Sequence, residues 1–170
     1  RLQKDFYTLN KLECAMPYNS LNGYTVLDLS NRLAGSFCAK LLGQYGCRVI
    51  KIEPPEGDPE RIQNTPMFLH LNTGKESLTL NLTNPNGKEI LKKLINSVDI
   101  VIETFKPDYM KSIGLSYDDL LELNPSLIMA SITPFGQSGP NKDFDYTELT
   151  IFSMSGGMHR EGLPDNHPIR

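Results

Sequence analysis

The residue types that most often carry chemistry are thinly spread along this sequence. His70, His159 and His167 stand far apart, without metal-ligand spacing. Cys14, Cys38 and Cys47 are odd in number and form no C-x-x-C pair, which argues against a zinc site or a disulfide framework and for a reducing, cytoplasmic setting. No G-x-x-x-x-G-K-[ST] stretch occurs, and the turn after the first apolar run has only Gly35 where a dinucleotide fingerprint needs three glycines. What remains is backbone chemistry. Tyr24 to Ser30 reads as a buried strand, Asn31 to Ser36 as a turn, and Phe37 to Tyr45 as a helix stopped by Gly46. A helix starting at the carboxyl end of a strand presents unpaired N–H groups to an anion, often a phosphate. An ordinary structural crossover has the same pattern.

The elements that would position such a site follow in order. Phe37, Leu41 and Leu42 recur at helical spacing, with Cys38 and Ala39 small enough to lie close to a sheet. Arg48 to Glu53 is a second strand, completing a βαβ unit. Pro54 to Arg61 is a loop at that strand's carboxyl end, where ligands collect in open α/β sheets. Met67 to Asn72 reads as a short helical turn or strand, and Ser77 to Leu82 alternates as a strand. Asn84 caps a helix with Pro85 in its first turn and Ile90, Leu91, Leu94 and Ile95 as its apolar stripe. Asp99 to Glu103 is a buried strand, Pro107 opens a short helix, and Ser116 caps another through Leu123. Leu127 to Ile132 is a further strand, Pro134 to Pro140 a glycine-rich loop, and Thr147 to Met158 a helix. The pattern predicts an α/β fold with a parallel sheet flanked by helices. Residues 1–20 form a short amphipathic helix or a linker ahead of it.

Composition narrows the partners. The 170 residues have a net charge of -3 and 39% hydrophobic content, and the mean hydropathy is -0.32. The charge speaks against a polyanion-binding surface and so against nucleic acid. No apolar run is long enough to span a bilayer, and no signal-peptide core opens the chain, which begins with Arg1.

Taken in order, the motifs become specific. Leu21-Asn-Gly-Tyr-Thr-Val-Leu-Asp-Leu-Ser30 is followed by Leu33-Ala-Gly35, Gly46-Cys-Arg-Val-Ile-Lys-Ile-Glu53 and Gly57-Asp58. Next come Leu71-Asn-Thr-Gly-Lys75, Val98-Asp-Ile-Val-Ile-Glu-Thr-Phe-Lys-Pro107, Ala130-Ser-Ile-Thr-Pro-Phe-Gly-Gln-Ser-Gly-Pro140 and Met154-Ser-Gly-Gly-Met158. The set resembles the start of the family III CoA-transferases, the group of formyl-CoA transferase and carnitine CoA-transferase, with α-methylacyl-CoA racemase as a relative. The resemblance implies that residues 21–170 are the N-terminal, incomplete part of a Rossmann-like large domain whose complete form is an interlocked homodimer. It implies transfer of CoA from an acyl-CoA to a carboxylate through a mixed anhydride and an enzyme-bound thioester. Coenzyme A is then a substrate, with no resident cofactor.

The resemblance also suggests residue roles. The nucleophilic aspartate is expected beyond Arg170, and Asp165 is not it. Glu148 matches an acidic position at the head of the Ser-Gly-Gly helix, either supporting catalysis or simply stabilising the helix start. Positions matching CoA contacts are Arg32, Leu33 and Ala34, then Asn72, Lys75, Leu80, Thr104 and Phe105. Lys75 has the charge for a phosphate or sits as a solvated turn lysine; Phe105 stacks on adenine or fills core. Thr147 stands where the racemase has histidine and many transferases tyrosine. Pro54, Ser112 and Asp145 replace basic residues of formyl-CoA transferase, with Arg61 and Lys111 near enough in sequence to substitute. Two alternatives therefore stay open: a racemase-like isomerase, and a degenerate CoA-binding or oligomerisation module. Asp28, at the end of the first strand, is read as holding a structural hydrogen bond.

Overall fold

A computed structural model describes residues 19–160, with the side chain of Arg160 left aside. The helix or linker expected over residues 1–20 thus falls almost wholly outside the described residues, as do Asp165 and His167.

Among the described residues, five strands form one all-parallel sheet: β1 (Thr25–Asp28), β2 (Arg48–Glu53), β3 (Glu76–Thr79), β4 (Ile100–Glu103) and β5 (Ile128–Ser131), in the order β3-β2-β1-β4-β5. The chain runs outward from β1 through β2 to β3, then crosses back to β4 on the other side. That reversal leaves a crevice at the carboxyl ends of β1 and β4, where α/β sheets take their ligands. The expected α/β class is the observed one.

Both faces are covered. Val26 and Leu27 are buried on opposite faces, as the strand's two-residue period requires. On one face Val26, Val49 and Ile102 pack with Ala39 of α1 (Arg32–Gln44). On the other, Leu27, Leu29, Ile50, Ile52 and Val101 pack with Leu91 and Ile95 of α4 (Pro85–Ile95) and Leu120 of α6 (Tyr117–Leu123). Between these lie α2 (Pro59–Gln63), α3 (Thr65–Asn72) and α5 (Tyr109–Ser112); α7 (Glu148–Met154) follows β5.

Helix starts are well marked. The Asn84 side chain accepts from Asn86 N–H, and Ser116 forms a capping box with Asp119. Several boundaries differ from the sequence reading. Helix α1 begins at Arg32, not Phe37, because Asn31 is extended and acts as its cap residue. Its buried face is Gly35, Ser36 and Ala39, whereas Phe37 and Leu41 are exposed. The helix lies too close to the sheet for large side chains between them. Within the expected loop 54–61, Asp58 caps α2 with Pro59 in its first turn. Residues 67–72 belong to a helix that already starts at Thr65. Strand β3 stops at Thr79, and α7 ends at Met154, ahead of a 3-10 turn over Gly157–Arg160.

Candidate functional site

The site is built at the carboxyl ends of β1, β2 and β4. Asn31 N–H donates to Thr104 Oγ1 at 3.0 Å, while the Thr104 hydroxyl lies 3.3 Å from Asn31 O and 3.2 Å from Asn31 Oδ1. This contact joins the two strand ends across the topological reversal. Gly35 permits it: a Cβ there would lie 2.3 Å from Ser30 Cβ and 2.6 Å from Thr104 Cγ2. At the first residue of α1 the chain turns through a left-handed conformation, Arg32 having φ +62°. Such a conformation in a non-glycine residue costs about 1–3 kcal/mol and is held by its surroundings.

Beneath the strand ends lies a network of buried charge. Lys75 Nζ donates to Asp28 Oδ2 at 2.7 Å, to Ser36 O at 2.9 Å and to Asn72 Oδ1 at 2.9 Å. Asp28 also accepts from Ser30 N–H at 3.0 Å and from the Ser30 hydroxyl, which is the structural role read for it. Lys51, buried in β2, donates to Ser30 O at 2.8 Å and pairs with Asp58 at 2.9 Å. Glu53 accepts from Arg61 at 2.6 and 3.1 Å, from Ser77 Oγ at 2.8 Å and from Asp58 N–H at 3.2 Å. The Arg61 guanidinium, chiefly, holds the Glu53 carboxyl down at about 2. The 54–61 segment is thereby strapped to the sheet edge.

Glu103, at the tip of β4, accepts from Phe105 N–H at 2.6 Å and from Gln137 Nε2 at 3.4 Å. Burial pushes its carboxyl above the usual range, opposed by its bonds to Ser131 and Phe105. It links the β4 tip to the glycine-rich loop.

Among the described residues, several openings ring these tips. A cleft of about 430 Å³ is lined by Ser30, Pro54 to Pro59, Leu80 and Phe105. A second, of about 290 Å³, lies between Arg32, Thr104, Phe105, Lys106 and Lys142. A third, of about 510 Å³, has Arg32, Leu33, Gln63, Asn64, Met67 and Glu148 in its walls. Among the described residues, no group of three His, Cys, Asp or Glu side chains suits a metal ion, and no helix is long and apolar enough to cross a membrane.

The structure sorts the residues singled out from sequence. Arg32 and Leu33 meet Glu148 around the third opening; Arg32, Thr104 and Phe105 meet around the second; Leu80 and Phe105 meet around the first. Ala34 is exposed beside them at the start of α1. The Phe105 ring is partly buried, packs with Tyr109 against the core cluster and lies 4.7 Å from the Tyr109 ring. Asn72 and Lys75 point elsewhere. The Lys75 side chain is 3% exposed, so it is no solvated turn lysine, and a phosphate would have to take it from Asp28. Arg61 is likewise engaged, by Glu53 and by the Phe68 ring at 4.1 Å. Thr147 caps α7, accepting from Thr150 N–H at 3.2 Å. Sequence reading missed Asn31, Lys51 and Glu103. Charged residues within the apolar runs of β2 and β4 were the available signal.

A family model described as CoA-transferase family III matches residues 21–170. The chain belongs to that family. Among its relatives, the succinate–glutarate CoA-transferase of Agrobacterium fabrum is 37% identical over 164 residues, covering 88% of this chain and 41% of the relative. The acetyl-CoA:oxalate CoA-transferase of Acetobacter aceti is 36% identical, covering 92% and 42%. A CaiB/BaiF family protein from Brucella suis has a solved structure that superposes with a TM-score of 0.83 at 35% identity, over 88% of this chain and 43% of that one. The chain therefore spans about two fifths of the length of these family III proteins. Their shared parallel sheet is the scaffold on which the openings described above are built.

Proposed function

We propose that the complete protein transfers CoA from an acyl-CoA to a carboxylic acid. Membership of the CoA-transferase family is the observation that carries this reading, and the openings along the strand tips support it. In the proposed sequence a carboxylate beyond residue 170 attacks the donor thioester carbonyl. The thioester C–S bond breaks, leaving a mixed anhydride and CoA thiolate. The thiolate then attacks the enzyme's acyl carbon, the donor acid leaves as its carboxylate, and an enzyme–CoA thioester remains. The acceptor carboxylate attacks that thioester and takes the CoA by the same two steps in reverse. Each covalent stage replaces one difficult exchange by easier ones.

In this scheme the nucleotide end of CoA lies along the first two openings, against Leu80, Phe105, Thr104 and the backbone around Arg32 to Ala34. Lys106 and Lys142 bring positive charge to the wall of the second opening, Lys106 paired with Asp145 at 3.1 Å and Lys142 with Asp108 and Asp143. Lys75 and Asn72 hold the floor. Glu148, at the head of α7, faces the reacting end in the third opening. The names of both relatives above contain a dicarboxylic acid, so such acids are the acceptors to assay first. A homodimer in the cytoplasm completes the proposal, to be checked by sedimentation and by fractionation.

The test is CoA exchange by the complete protein between acyl-CoA donors and a panel of carboxylates, with hydroxylamine trapping of the enzyme thioester. Absence of both exchange and adduct across the panel sinks the reading. The racemase alternative is disfavoured because Thr147 is occupied in capping and cannot move a proton at neutral pH; no deuterium enters the α-carbon of an acyl-CoA. Loss of the three basic positions favours a degenerate binding module instead if calorimetry detects CoA binding without turnover.

A further inference from the structure

The chain between β5 and α7 folds back onto the segment that follows β4. Among the described residues, Gln137 Nε2 donates to Glu103 Oε1 at 3.4 Å, Lys106 Nζ donates to Asp145 Oδ1 at 3.1 Å, and Lys142 Nζ donates to Asp108 Oδ2 at 2.5 Å. The two ion pairs are reciprocal, since each segment gives one lysine and one aspartate. Lys142 also lies 3.6 Å from Asp143 of its own segment. Asp108 is held in the left-handed region, at φ +63°. Glycine takes that conformation freely, whereas an aspartate there brings a carboxylate to Lys142.

Both pairs fall beside the second opening, of about 290 Å³. Thr104 to Pro107 form one wall, and Thr133 to Phe135 with Lys142 to Phe144 form another. Among the described residues, its lining has Arg32, Lys106 and Lys142 as cations and Asp143 as carboxylate. Asp108 and Asp145 stand outside the lining, yet they hold two of those cations. Their side chains are 65% and 95% exposed. Ion pairs in so much water are weak and screened by salt, so an incoming anion can take over the lysines. A phosphate monoester has about two negative charges and three acceptor oxygens at neutral pH. A carboxylate has a single charge and two oxygens, so the phosphate is the stronger partner for an ammonium. CoA has such a monoester on its ribose, with a diphosphate beside it.

We propose that Asp108 and Asp145 are internal counter-ions that the phosphates of CoA must displace from Lys142 and Lys106, so that the two aspartates limit affinity for the nucleotide end of the donor. The two pairs are then an autoinhibitory contact at the second opening. This rests on the CoA-transfer reading and adds to it the residues that oppose donor binding.

The test measures CoA binding to the complete protein by calorimetry, alongside CoA exchange. Asparagine removes each carboxylate's charge and tolerates the left-handed conformation at position 108. The double variant Asp108→Asn/Asp145→Asn binds CoA about three- to tenfold more tightly than the unaltered protein, the gain expected from releasing two exposed ion pairs. Lys106→Met/Lys142→Met binds CoA more weakly. Adding both asparagine changes to that variant brings no further tightening, because the lysines they would free are gone. CoA binding that is unchanged or weakened by the two asparagines overturns the assignment, as does a gain that persists without the lysines. Exchange by the unaltered protein then leaves CoA transfer standing. Neither binding nor exchange by the unaltered protein removes the transfer reading and this one with it.

Discussion

The Lys75 ammonium and the Asp28 carboxylate lie 2.7 Å apart, with 3% and 0% of their side chains exposed. Burial holds the Lys75 amine below the usual lysine value, with Asp28 working in the opposite direction. Both groups have left water, so each depends on the other. Asp28→Asn removes the counter-charge and is expected to destabilise the complete protein by about 3–5 kcal/mol. Adding Lys75→Met to it gives a smaller loss than the sum of the two single changes, in denaturant titrations of all four forms.

Thr104→Val keeps the side chain's shape but leaves Asn31 N–H without its acceptor. The expected loss is about 1–2 kcal/mol, together with a raised KM for the CoA donor as the crevice loosens. Gly35→Ala acts on the same joint by collision with Ser30 and Thr104 and is expected to destabilise by about 1–3 kcal/mol. Thermal unfolding and donor kinetics check both.

Acid stability tests the strap over β2. The Glu53 carboxyl is lowered from 4.5 to about 2 in the folded state. A depressed carboxyl stabilises the fold above its unfolded value, and that stability is lost as pH falls from 4.5 towards 2. Arg61→Met removes the largest cause but leaves the bonds from Ser77 and Asp58 N–H, so the variant's stability falls less over that interval than the parent's. Chemical denaturation at a series of acid pH values provides the measurement.

Glu103 runs the other way. Its carboxyl is raised by burial, so the folded state holds the proton more tightly and stability falls as pH rises from 4.5 through the folded value. Glu103→Gln keeps an acceptor for Phe105 N–H without the charge. The variant is expected to lose this pH dependence and to match or exceed the parent's stability at pH 7. Glu103→Ala leaves that N–H unpaired and is expected to cost about 1–3 kcal/mol. Melting temperatures across the pH range separate the two.

Thr147→Ala removes the side-chain acceptor of the α7 cap and is expected to cost about 1 kcal/mol. Thr147→Ser retains it. If α7 carries Glu148 at the reacting end, the alanine variant also lowers kcat more than the serine variant does.

Much of the scaffold was legible before folding was considered. Val26, Leu27, Val49 and Ile50 are apolar runs that only a doubly covered sheet accommodates, and the caps at Asn84 and Ser116 act within a few residues of themselves. The placement of several candidate residues was legible too. Arg32, Leu33, Thr104, Phe105 and Glu148 do line the strand-tip openings, because each follows a strand end or opens a helix.

What the sequence could not supply is the destination of a long side chain. Lys75 sits in a turn by local rules, yet its ammonium is claimed by Asp28, 47 residues earlier; Arg61 belongs to a proline-rich loop, yet it serves Glu53. Local sequence decides backbone conformation because turns, caps and periodicity act over a few residues. Which charges face a ligand and which face each other depends on strand order, and the chain brings β3, β2, β1 and β4 side by side only once it has folded.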